Sequence, residues 1–149
     1  MAERNASAGP AGTVLAFDYG TQRIGIAVGE TATAVAHPLT TLARRQARTP
    51  FERIAALISE WRPTLLLVGL PTHADGTPHA MTAHSRRFAE ELRGRFALPV
   101  AFADERFTTK HALSALRESG ASRRARDGAR DSVAAQIMLQ AYLDARHAA

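Results

Sequence analysis

The sequence contains no cysteine, which excludes a disulfide framework, a thiolate nucleophile and a cysteine-ligated zinc site. It has no apolar run of the roughly 18 residues that a membrane-spanning helix needs, and its first twelve residues contain no apolar signal core. Lysine is almost absent, since Lys110 is the only lysine among 19 Lys and Arg residues. We therefore expect a soluble, cytoplasmic protein whose positive charge is carried almost entirely by arginine.

The remaining composition indicates one domain with a polyanionic partner. A length of 149 residues predicts a flexible leader over 1–12 and a single domain over 13–149. The formal net charge is +5, and arginine side chains match phosphate oxygens in bidentate fashion. An arginine-rich and alanine-rich chain can also reflect genomic base composition, so charge alone does not decide the partner.

Hydrophobic patterning predicts an α/β fold in the order βββαβαβαα. Three successive strands over 13–18, 23–29 and 34–42 predict an antiparallel meander, with Pro38 indicating an edge or a bulge in the third. The run over 64–71 predicts a strand buried on both faces. The other predicted elements are helices over 50–63, 79–95, 108–120 and 130–146 and a strand over 98–106, with a densely basic loop over 121–130.

Carboxylates lie at the ends of predicted elements. Asp18 ends the first strand, Asp104 and Glu105 end the last strand, and Asp131 is expected to open the final helix. Strand ends in a mixed sheet bring distant segments into one cleft, where carboxylates repel one another unless cations lie between them. Such oxygen ligands suit Mg²⁺ or Mn²⁺, and two ions about 4 Å apart can activate a water for phosphodiester hydrolysis.

Each acid also has a structural alternative. Asp18 could cap a turn, and Glu105 could form an ion pair with Arg106 or Arg23. Asp131 could cap the helix by accepting hydrogen bonds from backbone amides. The joint placement of the acids favours the metal site over these separate roles.

Four motifs resemble the blocks of one known family. "AFDYGTQRIGIAVG", "LLLVGLPTHADGT", "FADERFTT" and "RDSVAAQIML" are similar, in this order over about 13–146, to those of the YqgF/RuvX family of RNase H-like proteins. The resemblance implies an RNase H-like mixed sheet with helices on both faces. It also implies a cytoplasmic nuclease that acts on structured nucleic acid and matures the 5′ end of 16S rRNA. By position, Asp18, Glu105 and Asp131 match the family's acids and would hold two Mg²⁺ or Mn²⁺ ions, with Asp104 as a neighbouring ligand.

The sequence departs from the family pattern at two points. His73 stands where the family usually has an asparagine, and the usual lysine before Asp131 is missing, so Arg126 or Arg130 would have to supply its charge. Gly20 would let phosphate approach the turn after Asp18. The predicted substrate contacts are Gly20, Arg23, His73, Arg106, Arg123, Arg124, Arg126 and Arg130.

Three functions stay open at this stage. The first is an endonuclease acting on pre-16S rRNA, with the small-subunit precursor as a partner and a monomer or weak homodimer as the active species. The second is a Holliday junction resolvase that makes paired cuts in branched DNA as a dimer. The third is a non-catalytic ribosome assembly factor. A D-x-G-T motif also opens the phosphate hairpin of actin-like ATPases, but those proteins close two lobes around the nucleotide and this chain has room for one.

Overall fold

Three consecutive strands form an antiparallel meander in the computed structural model, which describes residues 9–71, 81–104 and 123–148. They are β1 (Thr13–Tyr19), β2 (Arg23–Glu30) and β3 (Val35–Ala43). β3 lies at the edge of the sheet, and its register with β2 shifts between Thr40 and Pro38, which leaves Leu39 as an extra residue. Both features predicted from Pro38 are confirmed, because a residue without an N–H is tolerated at an edge or a bulge.

Two further strands extend the sheet on the other side of β1. β4 (Leu65–Leu70) pairs in parallel with β1, and β5 (Val100–Asp104) pairs in parallel with β4. The sheet order is β3-β2-β1-β4-β5. β4 therefore has strands on both edges and helices on both faces, which explains its continuous apolar sequence.

Three helices in the described residues cover the two faces of this sheet: α1 (Phe51–Trp61), α2 (Thr82–Phe96) and α3 (Arg123–Ala148). α1 and α2 pack on one face, where Leu15 and Phe17 of β1 join Phe88 of α2 in a core of large side chains. α3 covers the other face, where Val14 and Ala16 pack in one cluster with its Met138 and Leu139. The alternation along β1 thus gives one strand to two separate cores.

The predicted mixed α/β architecture with helices on both faces is confirmed, and most element boundaries differ by one to three residues. The final helix is the exception, because α3 begins at Arg123 and the basic segment 123–130 is helical, where a loop was predicted. Arginine and alanine are strong helix formers, and they outweigh the single Gly128 in this segment. The predicted helix over 108–120 lies outside the described residues.

This correction also changes the position of Asp131. It lies about two turns inside α3, so it does not open the helix, and the N-cap role is wrong. Within the part of the chain that the structure describes, no helix combines the length and apolar character needed to cross a membrane.

Candidate active site

Asp18 lies near the carboxyl end of β1 and on the α3 face of the sheet. Val14 and Ala16 alternate onto this face, whereas Leu15 and Phe17 turn to the other core. Asp18 is half-buried, and its register partner across the hairpin is Gly25 of β2. The first predicted catalytic carboxylate therefore lies beside the strand position that is closest to α3.

Gly25 sets the approach of α3 to the sheet. A Cβ atom at this position would lie 2.0 Å from the backbone oxygen of Asp131 and 2.8 Å from the amide nitrogen of Ser132. Both atoms belong to the helix backbone, so no side-chain rotation could relieve the overlap. Only glycine permits this contact, and the contact brings Asp131 to the strand pair that carries Asp18.

Arg23 connects the same elements by an ion pair. Its Nε donates a hydrogen bond to Oδ2 of Asp131 at 2.6 Å, with the arginine side chain 36 % exposed and the aspartate 16 % exposed. A charge-assisted hydrogen bond of this kind fixes the carboxylate and offsets its negative charge. Arg23 was predicted to contact substrate, and the structure adds a direct contact with a predicted catalytic acid.

The turn between β1 and β2 is tight because of Gly20. Its N–H donates to the carbonyl oxygen of Arg23 at 2.9 Å, and a Cβ atom at Gly20 would lie 2.7 Å from that oxygen. The glycine is therefore required by the close approach of backbone within the hairpin. Its predicted contact with substrate phosphate stays a prediction.

Asp104 lies at the same edge of the sheet as Asp18. Phe17 of β1 pairs with Val68, and Val68 pairs with Phe102 of β5, so Asp18 and Asp104 lie one and two residues beyond that level. Parallel strands bring their carboxyl ends to the same end of the sheet, as the sequence predicted. Ala101 and Ala103 of β5 lie on the α3 face, so position 104 alternates onto the face opposite Asp18.

Three predicted site residues, Glu105, His73 and Arg106, lie outside the described residues. Four predicted arginines belong to the first two turns of α3, on the N-terminal side of Asp131: Arg123, Arg124, Arg126 and Arg130. Arg126 and Arg130 are one turn apart.

Among residues 9–71, 81–104 and 123–148, no group of three or more His, Cys, Asp or Glu residues is close enough to hold a metal ion.

Arg44 is a residue of this region that the sequence did not single out. Its Nη1 donates to the carbonyl oxygens of Gly20 at 2.9 Å and Thr21 at 3.0 Å, and its guanidinium lies 4.5 Å from the ring centroid of Tyr19. These contacts brace the hairpin turn that follows Asp18. In the sequence, Arg44 is one arginine among many, and only its place after the third strand could have marked it.

With this geometry in place, the comparisons with known proteins decide the family. A family model described as RuvX, Holliday junction resolvase, matches residues 12–145. The chain belongs to the RuvX family. A relative from Nitrosomonas europaea, named "Putative pre-16S rRNA nuclease", is 54% identical over 138 residues that cover 93% of each chain. A relative of the same name from Dechloromonas aromatica is 51% identical over 136 residues, covering 91% of this chain and 93% of the relative.

A solved structure supports the fold of this RuvX member. Thermus RuvC, described as T. thermophilus RuvC in complex with Holliday junction substrate, superposes with a TM-score of 0.53 at 19% identity, covering 91% of this chain and 96% of RuvC. The likeness shows the shared RNase H-like fold.

The carboxylates of this site have the chemistry of metal ligands. Nucleases of the RuvX kind generally use divalent metal ions. The half-buried carboxylate of Asp18 and the largely buried carboxylate of Asp131 are hard oxygen donors of the type that Mg²⁺ and Mn²⁺ prefer. The donor chemistry of the described residues fits a divalent ion.

Proposed function

We propose that this protein is a metal-dependent endonuclease that hydrolyses phosphodiesters in structured RNA and matures the 5′ end of pre-16S rRNA. The observation that carries the proposal is the Gly25 contact, which brings Asp131 of α3 to the strand pair that carries Asp18. Membership of the RuvX family and the names of the relatives support the choice of reaction and substrate.

In this proposal, Asp18, Glu105 and Asp131 hold two Mg²⁺ or Mn²⁺ ions, and Asp104 is a neighbouring ligand. When bound, the ions supply activation of the attacking water and stabilisation of the leaving oxygen. The chain itself supplies the carboxylates and their orientation. Arg23 fixes the carboxylate of Asp131 through the 2.6 Å hydrogen bond.

The substrate is positioned by arginines in this account. Arg123, Arg124, Arg126 and Arg130 precede Asp131 on the same helix, within about 12 Å of it along the axis. Phosphate contacts of this type orient a nucleic acid without reading its sequence. Gly20, His73 and Arg106 complete the proposed set of substrate contacts.

The test is cleavage of a 5′-extended 16S precursor RNA in Mn²⁺ and in EDTA. The wild-type protein should cut in Mn²⁺ alone, and Asp18→Asn should fall to the level of the EDTA control while keeping its unfolding temperature. The matched control is Asp144→Asn, since Asp144 is exposed and lies about 20 Å beyond Asp131 along α3. Full activity of Asp18→Asn would contradict the proposed site.

A second candidate is resolution of Holliday junctions, which the description of the matched family favours. It would use the same carboxylates but would require two copies that make paired cuts across one junction. A four-way DNA junction in the same assay separates the two. Paired symmetric cuts in the DNA, without cuts in the RNA, would favour the resolvase. No cleavage of either would favour the non-catalytic assembly factor.

A further inference from the structure

A basic concavity of about 470 Å³ opens where β3 ends and α1 begins. Its lining includes Arg45, Arg48 and Arg53, together with Gln46 and Thr49. All three arginines are exposed. None of them forms an ion pair with another residue in the described part of the chain. The acidic neighbour in sequence, Glu52, does not line the concavity, but it lines an adjacent groove together with Arg53. We call Arg45, Arg48 and Arg53 the arginine concavity.

The turn that carries two of these arginines has an unfavourable backbone conformation. Gln46 has φ +54° and Ala47 has φ +59°, so two successive residues with a Cβ adopt the left-handed region. Such conformations persist only where surrounding contacts hold them, and they cluster at functional sites. Here Nη2 of Arg44 donates to the carbonyl oxygen of Ala47 at 2.9 Å.

The same arginine ties the turn to the candidate active site. Nη1 of Arg44 donates hydrogen bonds to the carbonyl oxygens of Gly20 and Thr21. The backbone N–H of Arg44 donates to the carbonyl oxygen of Gln22 at 2.8 Å. Arg44 therefore holds the arginine concavity against the hairpin that follows Asp18. Both lie at the end of the sheet where β1 and β3 finish.

The strand register gives the spacing between the arginine concavity and the candidate active site. Ala43, which also lines the concavity, is the register partner of Arg23, whose side chain bonds to Asp131. The end of β3 is two strand spacings, about 10 Å, from β1. Arg53 belongs to α1, which packs on the face opposite Asp18, so a nucleic acid with its scissile phosphate at Asp18 would reach the concavity by passing around the β1–β2 hairpin.

We propose that the arginine concavity binds backbone phosphates that flank the scissile bond. This inference rests on the proposed function, because it assigns a second contact region to the same substrate. Guanidinium groups bind phosphate oxygens in bidentate fashion, and three of them around one concavity match the closely spaced charges of a nucleic-acid backbone. This contact would position the substrate without reading its sequence.

The test measures binding rather than cleavage, with Asp18→Asn as the parent protein and EDTA present. Dissociation constants are measured over a series of salt concentrations for the 5′-extended 16S precursor RNA and, separately, for a four-way DNA junction. The variant adds R45Q and R48Q to the parent. The control adds R62Q and R87Q instead, which removes two exposed arginines that do not line the concavity.

The slope of log Kd against log salt should fall in magnitude by about 2 in the R45Q/R48Q variant, since each lost contact removes close to one unit. The control should keep the parent slope. A loss on the RNA alone assigns the concavity to RNA, and a loss on the junction alone assigns it to branched DNA. An unchanged slope on both, an equal loss in the control, or no binding by the parent would overturn the inference.

The result of this binding experiment does not depend on whether the protein cleaves RNA. Absence of cleavage by the wild-type protein would refute the nuclease, but it would leave the binding slopes readable. Arg45 and Arg48 are exposed, so both variants are expected to fold, and equal thermal unfolding temperatures would verify this.

Discussion

The two faces of the sheet are built from different kinds of residue. The face under α1 and α2 has a core of large side chains, with Phe17 and Phe88 in an edge-to-face contact at 5.6 Å. The face under α3 combines aliphatic side chains such as Met138 and Leu139 with several alanines, among them Ala16, Ala27 and Ala135, and its buried cluster has no aromatic ring among the described residues. Large side chains bury more apolar area, whereas small ones let a helix backbone lie close to the strands. The comparison indicates that the aromatic core lies on one face and the candidate site on the other.

The glycines of β2 show how close the α3 face is. A Cβ atom at Gly29 would meet the flexible end of the Leu143 side chain at 2.9 Å and the backbone oxygen of Val35 at 3.0 Å. A Cβ atom at Gly25 would meet the backbone of Asp131 at 2.0 Å. The helix therefore comes nearest to the sheet at the level of Asp18, where the proposed carboxylates meet.

The largest expected effect on stability is at the α1 and α2 face. Phe88→Ala should lower the free energy of unfolding by about 3–5 kcal/mol, because the ring is fully buried against Phe17 and Tyr19. Cleavage per folded molecule should be retained, since Asp18 and Asp131 meet on the opposite face of the sheet. Denaturant unfolding and cleavage below the unfolding midpoint measure the two quantities. Loss of activity in the fully folded variant would contradict the separation of roles.

Gly25→Ala should lower both the free energy of unfolding and the cleavage activity. The added Cβ forces α3 away from β2, at a cost of about 3 kcal/mol, near the upper end for overpacking. Cleavage should be lost even where the variant is folded, because Asp131 moves away from Asp18. Gly29→Ala is the matched comparison on the same strand, and it should keep more of both. Equal activity of the two variants would refute the role given to Gly25.

Arg23→Gln tests the ion pair within the site. Removing the guanidinium leaves the Asp131 carboxylate with less positive charge beside it. Because the pair is partly exposed, we expect the free energy of unfolding to fall by about 1 kcal/mol. The loss should be smaller in Mn²⁺ than in EDTA, because a bound cation replaces the missing charge. Thermal unfolding in the two buffers measures this difference. The same loss in both would indicate that the ion does not reach Asp131.

The smallest expected effect is at a glycine with no neighbours. A Cβ atom at Gly94 would meet nothing within 4 Å, and the residue lies inside α2. Gly94→Ala should raise the free energy of unfolding by about 0.5–1 kcal/mol, because alanine loses less conformational entropy in a helix. Cleavage should not change. A destabilised Gly94→Ala variant would show that the free space around a glycine does not predict the effect of an added Cβ atom in this chain.

Much of the fold could be predicted from the sequence because it follows from local patterns. The buried run of β4, the meander and the bulge at Pro38 each depend on residues near one another in the chain. The position of Asp18 at a strand end follows in the same way. These signals survive in a single sequence because the periodicity of each element is visible within it.

The contacts of the site could not be predicted, because they join distant segments. In the sequence, Gly25 is only a small residue within a predicted strand, and its role depends on α3 packing against it. The pair of Arg23 with Asp131 spans most of the chain. The segment 123–130 was predicted as a loop because of its charge, although arginine and alanine favour a helix. Arg44 owes its role to the hairpin that it contacts.

The most direct test of the central claim is Mn²⁺ binding to the wild-type protein and to variants of the two acids, measured by calorimetry. The account predicts that Asp18→Asn and Asp131→Asn each weaken binding and that the double variant loses less than the sum of the two in free energy, because both acids serve one site. Asp144→Asn should bind as the wild-type protein does. Unchanged Mn²⁺ affinity in either single variant would contradict the proposed site.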